Sequence, residues 1–166
     1  MKALAGVAFA LLLAACSAQP AAAPKPKPTS LEAAAIAAGV VPDPNATDPV
    51  GLYARDTDRL CVAPGGGGGF RIGMTVSYDD QQGCTGSGSA TRRGELLSVR
   101  LGEGDCRFDA RYEGDRIVLP GALPEACQAL CRGRASLAGL SVERLSESAS
   151  EAGALRDAKG RVLCGE

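Results

Sequence analysis

Six cysteines, Cys61, Cys84, Cys106, Cys127, Cys131 and Cys164, lie in the later part of a 166-residue chain that contains no His and no Trp. An even set of widely spaced Cys in a small domain predicts a disulfide framework if folding takes place in an oxidising compartment. Metal chemistry is disfavoured by the ligand set. Zinc takes four Cys or His in close pairs, and the one close pair here is Cys127 and Cys131. A thioredoxin-type site needs Cys-x-x-Cys at a helix N-terminus within a βαβ pattern, and neither is present. With aromatics at 4 % of the chain, the core has to be built from aliphatic side chains and Ala, so staples matter: each adds ~2–4 kcal/mol by restricting the unfolded chain. The expectation is three structural disulfides, with no metal and no cofactor. Pairing is open except at one place. The run Pro124–Cys131 predicts a helical turn, in which Cβ atoms four residues apart are ~5–6 Å from one another, whereas a disulfide needs ~3.8 Å. Cys127 and Cys131 should therefore bond to two other elements and clamp the helix to the sheet. Cys84 and Cys106 flank an expected hairpin and are expected to pair.

The other Cys belongs to a leader. Met1-Lys2 is followed by apolar or small residues from Ala3 to Ala15, a positive start and a short hydrophobic run that predict an export signal over residues 1–15. The run is too short to span the ~30 Å of a bilayer core. It ends in Leu13-Ala14-Ala15-Cys16, which resembles the lipobox of bacterial lipoproteins. That resemblance implies cleavage before Cys16, a diacylglycerol on its thiol, and a protein tethered to a membrane rather than spanning it. Because Ser17 follows the Cys in place of the Asp that marks inner-membrane retention, the resemblance further implies the outer membrane, facing the periplasm. An ordinary signal cut after Cys16-Ser17-Ala18 would also satisfy the small-x-small rule.

Residues 16–45 predict a tether. The Pro24-Lys25-Pro26-Lys27-Pro28 run favours extended polyproline II geometry with nothing to bury, and Leu31 to Val41 predicts a short Ala-rich helix stopped by Pro42 and Pro44. Residues 46–166 are enough for one domain with one core. They carry fifteen Lys plus Arg against seventeen Asp plus Glu, so no strong field directs the domain to nucleic acid.

Within it the period is two. Phe70, Ile72, Met74, Val76 and Tyr78 share one face of an expected strand; Cys106, Phe108, Ala110 and Tyr112 share another, with Arg107, Asp109 and Arg111 outward. Glu113-Gly114-Asp115 predicts a turn into Arg116–Leu119. A hairpin near Arg92–Glu95 feeds Leu97, Val99 and Leu101 to the core, and Asp56-Thr57-Asp58 turns between Leu52–Ala54 and Leu60–Val62. From Leu137 to Ala154 the spacing of Ala138, Val142, Leu145, Ala149 and Ala152 predicts a surface helix, and Arg161–Cys164 a last short strand. Six or so strands joined by tight turns define a mainly β fold: a small antiparallel meander or barrel with one or two short C-terminal helices, stapled by disulfides.

Motifs for chemistry are sparse. Gly65–Gly69 lacks the Lys-Ser/Thr of a phosphate loop and predicts a hairpin loop; no helix pattern follows Gly86-Ser87-Gly88, so it is no dinucleotide fingerprint. Asp56 and Asp58 lack the further ligands of a calcium loop and, like Asp79 and Asp80, suit turn residues. Asn45-Ala46-Thr47 matches a glycosylation sequon that a bacterial chain would not use. Without His the commonest general base is missing. The expectation is a non-enzymatic envelope lipoprotein that binds a protein or peptidoglycan partner or serves a structural role. Its layout is similar to that of small Cys-bearing β-barrel lipoproteins that inhibit lysozyme, which implies muramidase inhibition as one concrete version. The rival expectation is a small enzyme acting on a wall component through Asp79, Asp80 and Asp109.

Overall fold

A computed structural model describes residues 29–165; the leader, Cys16 and the Pro24–Pro28 run lie outside the described residues. Alternating side chains produce nine strands among them: β1 Gly51–Arg55, β2 Asp58–Pro64, β3 Phe70–Ser77, β4 Gly83–Arg93, β5 Leu96–Leu101, β6 Cys106–Tyr112, β7 Arg116–Val118, β8 Cys131–Arg132 and β9 Ser141–Ser146. Strands β1 to β7 each pair antiparallel with the next, and β9 inserts between β7 and β1. The result is a closed, eight-stranded antiparallel barrel, with the two-residue β8 paired to the start of β4. Closure leaves none of the eight strands with an open edge.

Inward positions supply one continuous core, including Leu60, Val62, Ile72, Met74, Leu97, Leu101, Ile117 and Val142, all fully buried. Strand β2 is buried on both faces. Its outer residues Cys61 and Ala63 lie under the helix α2, Ala149–Ala154, and the C-terminal segment, packed with Ala152, Leu163 and Cys164. This double burial explains the unbroken apolar run from Leu60 to Ala63. Gly73 on β3 makes the covering possible: a Cβ there would sit 2.5 Å from Leu163 Cβ and 3.1 Å from Cys61 Sγ. Gly73→Ala should push the C-terminal segment off β2 and cost ~1–3 kcal/mol of stability. Thermal unfolding checks this, and an unchanged Tm would show that the segment adapts.

The two ends are closed differently. At one end, a 3₁₀ turn, Glu125–Leu130, is held by the disulfides Cys106–Cys127 and Cys84–Cys131, so the close pair does bond to two separate strands. The third disulfide, Cys61–Cys164, ties the C-terminus to β2. At the opposite end the chain enters through α1, Leu31–Ala37, which Ser30 caps by accepting the Ala33 N–H at 3.0 Å, and then crosses the barrel mouth as a strap, residues 42–50.

Several expectations are corrected. Cys84 does not pair with Cys106, because β5 lies between their strands and two inter-strand steps amount to ~9.6 Å. The stretch 137–154 is not one helix: Ser141–Ser146 is β9, the strand that closes the barrel, and only Ala149–Ala154 is helical. Leu145 consequently faces solvent. Tyr78 is 65 % exposed, since β3 ends at Ser77 and the chain turns there, Tyr78 N–H donating to Gln82 O. Arg161–Cys164 forms no strand beyond a bridge between Arg156 and Val162; its disulfide fixes it. The first helix stops at Ala37 rather than Val41, because Gly39 takes a left-handed conformation (φ 70°) that ends it.

Candidate functional site

Four inward-facing residues at the strap end are polar or aromatic: Tyr53, Arg92, Tyr112 and Arg144. They form a lid that holds the strap by its backbone. Arg144 donates to the carbonyls of Asp48 (2.7 Å), Gly114 (2.9 Å) and Val50 (3.2 Å) and to the Tyr112 hydroxyl. Arg92 donates to the carbonyls of Thr47 and Pro44 and to Gly94 O. The guanidiniums also lie over rings, Arg92 above Tyr112 at 4.9 Å and Arg144 above Tyr53 at 5.2 Å. Tyr53 donates to Pro49 O at 2.8 Å, and burial pushes its phenol well above the ordinary value, although the Arg144 charge opposes this. These groups are largely consumed by structure: both terminal nitrogens of each guanidinium and both phenols donate within the chain, and only Arg144 Nε, buried, lacks an acceptor among the described residues.

With both ends closed and the interior filled, chemistry directed at another molecule has to use the outside. A shallow hollow there, about 450 Å³, with both polar and apolar lining, lies on the outer face of β4, β5 and β6. Register builds it in two rows. Ser89, Arg100 and Arg107 are directly opposite one another across the three strands, and so are Thr91, Ser98 and Asp109. Ser98 Oγ donates to Asp109 Oδ1 at 2.7 Å. Arg107 reaches the exposed Asp105 at 3.2 Å, a solvated pair that neutralises it weakly.

The three carboxylates proposed for catalysis are not brought together. Asp79 and Asp80 lie in the β3–β4 turn, whereas Asp109 sits midway along β6, opposite Ser98 and Thr91. Along β4 that is eight residues beyond the turn, on the order of 25 Å. Asp79 serves its own turn: it accepts the N–H groups of Gln81 and Gln82, each at 2.7 Å, and the Gln82 side-chain amide at 2.9 Å, and these bonds lower its pKa. Asp56 and Asp58 flank the β1–β2 turn, where Asp56 takes the left-handed region (φ 49°), and burial of Asp58 raises its pKa. Gly65–Gly69 is the β2–β3 loop, including a 3₁₀ turn at Gly66–Gly68; Gly86 and Gly88 lie within β4. Among the described residues no three His, Cys, Asp or Glu side chains are placed to hold a metal ion.

Sequence reasoning placed Arg107 and Asp109 outward but missed Arg100 and Ser98 as their partners. Register would have found them: once Leu97, Val99 and Leu101 face the core, the tight turn after Leu101 sets Arg100 against Arg107. No protein-family model matches the chain, and no curated protein or solved structure matches it either.

Proposed function

We propose that this protein is a lipid-anchored component of the bacterial cell envelope with a non-enzymatic binding role, presenting the outer face of its barrel to a periplasmic protein or to peptidoglycan. The observation that carries the reading is the closure of both barrel ends over a filled core, which leaves no interior for a carried ligand and directs recognition to the outside. The anchored part of the reading rests on the Leu13–Cys16 leader. It is supported by the distribution of exposed apolar residues. Among the described residues, Leu31, Val40, Val41, Leu96 and Leu145 are exposed at or next to the strap end, the end at which the N-terminal segment arrives, and Tyr78 alone of the exposed large apolar residues lies at the other. Cys16 precedes the first described residue by thirteen positions, so the reach between them cannot exceed ~45 Å and the barrel would stay close to the bilayer, its apolar end nearer.

Intact mass of membrane-extracted protein, alkylated before and after reduction, tests the anchor. Expected is an acylated N-terminal Cys16 with the six other Cys blocked until reduced; an unacylated chain beginning near Gln19 removes the tethered reading. Binding is tested by co-sedimentation with peptidoglycan sacculi and by inhibition of lysozyme. Activity in neither assay would discard both concrete versions, muramidase inhibition and wall binding.

A further inference from the structure

Arg100 and Arg107 face each other directly on adjacent antiparallel strands. Cβ atoms at such positions are ~5 Å apart, and like charges placed there destabilise a sheet. The pair is thus poorly explained by folding. Its surroundings suit a ligand: Ser89 extends the same row, and two residues along each strand, ~6.6 Å away, lies the row of Thr91, Ser98 and Asp109. The hollow therefore offers two guanidinium groups for an anion, Arg107 from within its solvated pair with Asp105, together with hydroxyls for polar groups and one lining carboxylate whose Oδ1 accepts from Ser98. A phosphate or another purely anionic ligand would gain the arginines but meet Asp109. A carboxylate with a cationic amine, or another N–H donor, some 6–7 Å away would satisfy both rows.

We propose that this hollow binds the peptide stems of peptidoglycan, the carboxylate of a stem held between Arg100 and Arg107 and a free amine on Asp109. The proposal rests on the envelope-binding reading above and names its ligand class. Arg is suited to the first contact because its planar fork matches a carboxylate bidentately.

The test is co-sedimentation of the mature protein with isolated sacculi, used native, with their carboxylates amidated, or with their amines N-acetylated. Arg100→Glu is the decisive variant. It replaces a repulsive cross-strand pair by an attractive one, so its Tm should be unchanged or higher, while retention should fall ~tenfold or more. Amidation of the sacculi should produce a similar fall, and Asp109→Asn and N-acetylation smaller ones. A folded Arg100→Glu protein retained as strongly as the parent, or retention insensitive to amidation, would overturn the site while leaving wall binding intact. A parent protein that does not sediment with native sacculi at all would overturn the ligand class, and the protein-partner version of the envelope reading would then stand alone.

Discussion

Replacing Arg144 by Ala is expected to lower the unfolding free energy by about 3 kcal/mol or more, read as a shift of the urea midpoint. The side chain is only 10 % exposed and makes four hydrogen bonds, three of them to carbonyls of the strap and the Gly114 turn. Truncation strands the Val50 carbonyl, takes a donor from Tyr112, and removes a cation stacked on Tyr53. Because the clamp binds neutral carbonyls and Arg stays charged throughout the accessible pH range, the loss should be nearly independent of pH and salt. The ion pair to Glu147 at 3.6 Å involves a carboxylate that is 82 % exposed and contributes little. Amide exchange of residues 45–50 should accelerate together, as expected of a strap released as a unit. A loss below ~1 kcal/mol, or one that vanishes in high salt, would mean that the contacts are surface electrostatics and not a clamp.

The second large effect belongs to the disulfide of longest span. Cys61 and Cys164 are separated by 103 residues, against 47 for Cys84–Cys131 and 21 for Cys106–Cys127. On the chain-entropy account, removing a link that closes ~100 residues costs about 4.7 kcal/mol, and one that closes ~20 about 3 kcal/mol. The Cys61→Ala/Cys164→Ala protein should accordingly lose more stability than Cys106→Ala/Cys127→Ala, an appreciable share of the ~5–15 kcal/mol typical of a domain. Loss of α2 packing should accompany it, since Ala152, Leu163 and the disulfide form one small cluster over β2. Paired denaturation curves under non-reducing conditions provide the check. Equal losses from the two double variants would show that local packing, not loop closure, sets the cost.

Strands β3, β5 and β6 were legible because a two-residue period put apolar or aromatic side chains on one face, and β7 because a short apolar run follows the Glu113-Gly114-Asp115 turn. β4 was harder to read. Its inward positions include Gly86, Gly88 and Ala90, and the space above Gly86 is filled from elsewhere, by Leu130 and Leu101, whose methyl carbons would lie 3.1 and 3.3 Å from a Cβ at that position. β9 was misread as helix for a related reason. Its inward residues are Val142, Arg144 and Ser146, only one of them apolar, because near the mouth the barrel interior is a polar lid. An apolar-period rule fails wherever an inward side chain binds backbone carbonyls, and Arg144 does so. The hollow on β4–β6 was half legible: the outward direction of Arg107 and Asp109 follows from period, but their neighbours follow only from register. The disulfide pairing was illegible beyond the exclusion of Cys127 with Cys131, since strand order, not sequence distance, decides which cysteines meet.

Closure of the ring by β9 also fixes when the molecule can fold. β1 pairs with β9 through Leu52 and Ser146, near opposite ends of the domain. A chain emerging N-terminus first therefore carries β1 with one edge unpaired until residues 141–146 follow, and Cys61 waits longer still for Cys164, 103 residues on. Pairings of such long range are slow to form because the intervening loop must close before any contact rewards it. The ring is therefore completed by its longest-range pairing, and the order of the strands makes β9 the element on which closure waits.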